Sequence, residues 1–265
     1  MADVAIRQRD NASVRQTLSS TPKTRILVAG ASGAIGRRLC RMLVGDGWSV
    51  AGTTRSTDKA SMLLDLGVEP VIVDVFDAPS LLGVVRKAQP DIVIHQLTDL
   101  PPALAPEKMA EARIRNARIR EIGTRNLVAA AIAAGVKRMV AQSIAFAYAP
   151  GPKPYREDAP LNLDDPDIGL SARAVASLER QVLTAPFEGI VLRYGKLYGP
   201  GTGFDRPPGD GPLHVDAAAD AARRAATRGE SGVYNIAEAD GAVSSDKAVD
   251  TFDWNPGFRL GEAER

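Results

Sequence analysis

A doubly wound α/β domain around a parallel sheet is the fold class this sequence predicts, and three observations predict it. Short apolar runs alternate with longer stretches of helical period from residue 25 to residue 194. That is the pattern of β-α-β units, in which each parallel strand needs a crossover helix to reach the next. A glycine-rich turn, AGASGAIGRRL, follows the first run directly. The chain of 265 residues is 45% hydrophobic and 25% charged, the composition of an ordinary globular protein with chain enough for a sizeable core.

In chain order, the first 22 residues are polar, lack an apolar leader core and stop at Pro22, so they read as a flexible extension; Asp3 and Asp10 argue against a transit peptide. RILVA (25–29) is the first strand. WSVAGTT (48–54), EPVIVDV (69–75), DIVIHQL (91–97), RMVAQS (138–143) and GIVLRY (189–194) follow as strands. Helical periodicity covers 34–45, 59–66, 80–88, 106–134 and 171–183 between them. GPGTGFDRPPGDGP then reads as loop, leading to a helix over 215–228, a short strand GVYNI and a turn at Asn255-Pro256-Gly257. The expected organisation is an extension over 1–22, a dinucleotide-binding domain over 23–200, and a reduced substrate-side segment over 201–265 covering the carboxyl ends of the sheet.

With 33 basic against 32 acidic side chains, the net charge of +1 gives no electrostatic case for nucleic acid or a membrane surface. Cys40 is the only cysteine, which excludes an intrachain disulfide, suits the reducing cytoplasm and, with two histidines, leaves little for a metal. No apolar run approaches the ~18 residues a membrane span needs.

The glycine-rich turn carries the clearest chemistry. Gly30 permits the tight turn, Gly33 lets main chain approach a pyrophosphate, and Gly36 lets the helix pack close to the strand. Ser32 and Ile35 complete the turn, and the pyrophosphate rests on the positive helix end. At the end of the second strand, where an acidic residue would take a free ribose 2′-hydroxyl, the chain reads Gly52-Thr53-Thr54-Arg55-Ser56. No carboxylate stands there, and the Arg55 fork suits a 2′-phosphate, which favours NADP over NAD. Asp74 and Val75, after the third strand, are placed to meet the adenine; a turn cap is the competing role for Asp74.

These residues resemble the short-chain dehydrogenase/reductase superfamily, in its extended branch of NAD-dependent epimerases and dehydratases. The resemblance rests on Gly30-x-x-Gly33-x-x-Gly36, Asp74-Val75, IVIHQL, GTRNLVAAAIAAGVKRMVAQS (123–143), LRYGKLYGPG (192–201), and HVD followed by GVYNI. It implies a Rossmann fold, with Gln96, Leu97 and Thr98 lining the nicotinamide ribose and Tyr194 to Leu197 near the carboxamide. It also implies a homodimer, in which the 106–134 and 171–183 helices pair with their copies.

The family's chemistry uses a tyrosine as acid or base and a lysine four residues later that lowers its pKa. Anchoring on Glu179 puts Ser171 at the tyrosine position and Val175 at the lysine position, and no Tyr or Lys occurs from 157 to 183. Aligning Tyr148 with the family's loop tyrosine puts Ile144 at the usual serine, and Arg120 replaces an asparagine three residues before Gly123-Thr124. The candidates left for chemistry are Ser143, which would also touch the cofactor, and Tyr148, with Lys196 and Tyr198 behind them. His95 reads as structural, His214 as a helix start, and the arginines of the 106–134 helix as a solvated face. The resulting expectation is an NADP-binding oxidoreductase or epimerase-like enzyme with a non-standard active site, acting by hydride transfer on a small carbonyl, hydroxyl or sugar-type substrate. The alternative is a sensor or regulator that kept the cofactor site and lost turnover.

Overall fold

The computed structural model describes residues 24–101 and 104–261. The extension read over 1–22 lies outside them.

Seven parallel strands form one sheet: β1 (Arg25–Ala29), β2 (Ser49–Thr54), β3 (Glu69–Ile72), β4 (Ile92–His95), β5 (Arg138–Ile144), β6 (Glu188–Tyr194) and β9 (Gly232–Ile236). Their order across the sheet is β3-β2-β1-β4-β5-β6-β9. The order reverses at β1, so the crossovers place helices on both faces and a crevice opens outside the strand ends beside β1 and β4. One face carries α1 (Ala34–Gly45) and α7 (Val215–Ala225), packed on Ile26, Val28, Ile94, Val140 and Leu192. The other carries α3 (Ala78–Ala88), α5 (Thr124–Ala133) and α6 (Gly169–Leu183), packed on Leu27, Val93, Met139, Ala141 and Val191. Strand residues of opposite parity serve the two cores, as pleating requires.

Three features depart from the sequence reading. The helix read over 106–134 is a 3-10 turn (Pro106–Lys108), α4 (Met109–Arg118), a π-helical turn (Ile119–Gly123) and α5. The segment 201–265 is more than a cover: β9 pairs with β6 along Ile190↔Gly232 to Tyr194↔Ile236, and α7 belongs to the main core. Flanking the Gly/Pro-rich stretch, β7 (Lys196–Tyr198) and β8 (Pro212–His214) form a small parallel pair, and α8 (Asp246–Phe252) follows β9. Strands of three residues beside a Gly/Pro-rich loop are too short to show a period. α2 (Asp58–Asp65) completes the set.

Candidate functional site

One cavity of about 890 Å³ runs across the carboxyl ends of the strands, from the β1–α1 turn to the start of α6. At its first end the main chain makes the wall. Gly30 sits at φ +88°, a conformation that favours glycine, and a Cβ there would lie 2.7 Å from the carbonyl oxygen of Gln96. At Gly36 a Cβ would come within 2.3 Å of the Gly30 carbonyl oxygen, so α1 can pack this close only without a side chain. At Gly33 a Cβ would meet only the Gly30 oxygen, at 3.4 Å; the residue otherwise opens on the cavity and forms a cradle for a group that needs bare backbone. The Gln96 side chain donates to the Tyr194 hydroxyl (3.3 Å), while its Oε1 is buried with no partner among the described residues. An orphaned acceptor on the wall and a glycine cradle at a helix N-terminus both fit a dinucleotide that brings diphosphate and hydroxyl groups.

The residues expected to hold a cofactor divide. Gly30, Ser32, Gly33, Ile35, Gly36, Arg55, Val75, Gln96, Leu97, Thr98, Tyr194 and Leu197 all line the cavity. Arg55 is half-exposed at the rim, 3.6 Å from the Asp99 carboxylate, with Ser56, Lys59 and Arg37 on the same wall. Asp74 is exposed and off the wall; its Oδ1 accepts from the Phe76 amide at 2.9 Å, the turn-capping role.

Ser143 and Tyr148, the candidate catalytic residues, do not line the cavity. Ser143 pairs in register with Arg193 on the α6 side of the sheet, whereas its neighbours Gln142 and Ile144, of opposite parity, reach the cavity. The Ser143 hydroxyl donates to Glu179 Oε1 (2.7 Å), and Arg193 grips Glu179 through Nε (2.8 Å) and Nη2 (2.7 Å). Arg193 Nη1 donates to the Tyr148 hydroxyl (2.9 Å), which donates to Asn235 Oδ1 (2.6 Å). Burial raises the Tyr148 pKa above its ordinary range although Arg193 opposes the rise. Ser143 and Tyr148 thus belong to a closed, buried polar network joining β5, α6, β6 and β9, with no hydroxyl free to serve a substrate.

The remaining hydroxyl and imidazole candidates are similarly engaged. The Tyr194 ring lies on the wall, but its hydroxyl donates to the Ala218 carbonyl (3.1 Å), and burial raises its pKa. Tyr198 donates to Glu238 (2.9 Å) and accepts from Arg259 (2.8 Å). His214 caps α7, accepting from the Asp216 amide (3.2 Å). His95 is buried; Nδ1 accepts from the Leu97 amide (3.2 Å) and Nε2 meets Thr124 Oγ1 (2.9 Å). Burial and, next, the charge of Arg120 hold its pKa down to about 4, so the ring is neutral.

The reaction end of the cavity is built from residues outside the sequence-read candidates: Phe146, Ile168 and Phe204, with Ile144, Ser171 and Arg120, the residues that stand where the resembling family has a serine, a tyrosine and an asparagine. Ser171, at the start of α6, is on the wall; Val175, one turn on, is buried with Ile144, Ala147 and Ala172. Leu104, also on the wall, is one of the few non-glycine residues at positive φ (+52°). Substrate-side walls of this kind carry no spacing signature, since loops and strand ends supply them one residue at a time.

Among known proteins, a family model described as "NAD dependent epimerase/dehydratase family" matches residues 26–212. A 3-diazoavenalumate denitrifying reductase from Streptomyces sp. is 47% identical over 188 residues, covering 70% of this chain and 60% of that protein. The chain therefore spans about three fifths of that relative's length. UDP-glucose 4-epimerase of Thermotoga maritima, solved with UDP-glucose, matches with a TM-score of 0.73 at 18% identity over 91% of this chain and 96% of the other. UDP-glucose 4-epimerase of Thermus thermophilus, solved with NAD, matches with a TM-score of 0.72 at 20% identity over 91% of this chain and 97% of the other.

Proposed function

The chain belongs to the NAD dependent epimerase/dehydratase family, and from that premise we propose that it is an NADP-dependent reductase whose substrate carries its own leaving group, a diazo group on a small organic acid. The observation that carries this reading is the chemistry of the reaction end. Carbonyl reduction or sugar epimerisation needs a proton delivered to or taken from an oxygen, by a positioned acid within hydrogen-bond reach. No Tyr or Lys occurs over 157–183, Tyr148, Tyr194 and Tyr198 all spend their hydroxyls elsewhere, and the Ser171 hydroxyl and Lys196 amine that do line the cavity make no hydrogen bond to an activating side chain among the described residues.

A reduced nicotinamide bound against Gln96, Leu97 and Tyr194 would supply hydride. At a diazonium carbon the new C–H bond takes the hydride pair while the C–N pair departs with N₂, so the step balances with no proton from the protein. What remains for the chain is to bind and orient the substrate, and Ile144, Phe146, Ile168 and Phe204 provide an apolar wall for that. The identity to a denitrifying reductase supports the same class of substrate.

Arg37, Arg55, Ser56 and Lys59 at the rim support NADP over NAD. Ile114 and Leu170, 63% and 38% exposed on α4 and α6, support a homodimer across these helices, checked by light scattering.

The test is to supply NADPH, deuterated at the transferable C4 position, with a diazo-substituted aromatic acid. Consumption of NADPH, release of N₂ and deuterium at the former diazo carbon are expected. NADPH consumption against carbonyl substrates with no N₂ release from the diazo acid would overturn the reading. The absence of turnover on either, with cofactor bound, would favour the sensor.

A further inference from the structure

Among the described residues, two arginines of one helical face on the cavity wall have no counter-ion, apart from Arg37 at the phosphate end. Arg113 and Arg120 stand with Asn116 between them at positions i, i+3 and i+7 of one helical face, and all three line the cavity. Two neighbouring arginines of that run are engaged: Arg115 pairs with Glu111 (2.7 Å) and Asp99 (3.4 Å), and Arg118 lies over the Phe76 ring at 4.3 Å; Lys108 and Arg125 do not line the cavity. Arg113 and Arg120 make no hydrogen bond or ion pair with any described residue. Arg120, which is half-buried, departs from the solvated-face reading, whereas Arg113 is exposed at the cavity mouth.

Arg120 is the deeper of the pair, and the π-helical turn that interrupts the helix holds it. Such insertions are costly in hydrogen-bond geometry and cluster at functional sites. Beneath it lies neutral His95, which offers no negative charge, and burial lowers Arg120 itself to about 10, leaving it charged at neutral pH. Asp99 is the one carboxylate on the wall among the described residues, and it already faces Arg55 and Arg115. A half-buried guanidinium without a partner is costly unless the cavity brings it an anion. The diphosphate of a dinucleotide has its own donors at the α1 N-terminus, beside Arg37.

We infer that Arg120 anchors the substrate by its carboxylate, through the bidentate fork a guanidinium offers, while the substrate's flat apolar body lies against Ile144, Phe146 and Phe204. The inference rests on the reading of this cavity as a reductase site for a small organic acid and adds to it the residue that selects that acid by its carboxylate.

The test needs no turnover, so it can fail or hold independently of the diazo chemistry. Protein loaded with NADP⁺ is titrated calorimetrically with cinnamate and with neutral cinnamamide. Cinnamate is expected to bind about tenfold or more tighter, as loss of a bidentate charged pair implies. Arg120→Gln should abolish that preference with NADP⁺ affinity unchanged, whereas Arg113→Gln, nearer the mouth, should keep it. Arg120→Lys, which retains the charge without the fork, should keep only part of it, and it carries the test if Arg120→Gln does not fold. Equal binding of the two probes by the unmodified protein, no binding of either, or an unchanged preference in the Arg120 variants would overturn the inference. So would a loss of NADP⁺ affinity in Arg120→Gln as large as the loss for cinnamate, since the arginine would then serve the cofactor.

Discussion

The two ends of the cavity are made by different means. At the β1–α1 turn the wall is main chain, and three glycines create it by lacking side chains. At the far end the wall is side chain, assembled from β5, the loop after it, α6 and the π-helical turn. The first end is legible because a glycine spacing states a backbone requirement directly. The second depends on which way each side chain points, and there strand parity decides. Gln142 and Ile144 look into the cavity while Ser143, between them, looks into the network of Glu179 and Arg193. A polar residue at the right place in the sequence is therefore a poor guide when one step along a strand reverses its direction.

The same distinction governs what else could be read. Strands, crossover helices and their order follow from apolar periodicity, and β1, α1 and β9 fall where the pattern puts them. Arg120 carried a signal, an arginine where the resembling family has an asparagine, but only the fold separates it from Arg115 and Arg118, whose charges are engaged. The π-helical turn that holds it has no composition of its own, so 106–134 read as one unbroken helix.

The contrast can be broken by experiment, most strongly at the buried network. Glu179→Ala leaves Arg193 buried without its carboxylate, which costs about 3–5 kcal/mol, on the order of 10 °C in Tm. Thermal melts with and without NADPH check this; an unchanged Tm with lost turnover would make the network part of the chemistry. Next comes pH. His95 titrates near 6.5 when unfolded and at about 4 when folded, so the unfolded chain gains a proton first as pH falls. Stability is then full above pH 6.5 and declines toward pH 4, by about 3 kcal/mol from this residue. Urea melts across that window should show the decline, and His95→Gln should flatten it by that amount.

At the phosphate end the effects fall on cofactor affinity. Gly36→Ala forces a Cβ against the Gly30 carbonyl, an overpacking of about 1–3 kcal/mol. NADPH and NADH should both weaken by about tenfold to a hundredfold in fluorescence titrations. Arg55→Ala should weaken NADPH alone, by about tenfold, the worth of a charge-assisted contact to a 2′-phosphate. Equal loss for NADH would make Arg55 a general contact and remove the basis for NADP.

Tyr148→Phe is the smallest change and the sharpest comparison. The hydroxyl donates to Asn235 and accepts from Arg193, and the ring stacks on Tyr155 with centroids 5.2 Å apart. Removing one oxygen leaves the stack in place and costs about 1 kcal/mol of stability. If the reaction end supplies no acid, kcat and KM on the productive substrate should stay within about twofold of the parent. A collapse of kcat with NADPH affinity intact would mean that the network opens during turnover and that Tyr148 swings to the substrate. Arg193→Lys would then separate the cases: it loosens the guanidinium that holds the hydroxyl, so a mobile acid should gain freedom and shift its pH profile, whereas a structural tyrosine would lose only stability.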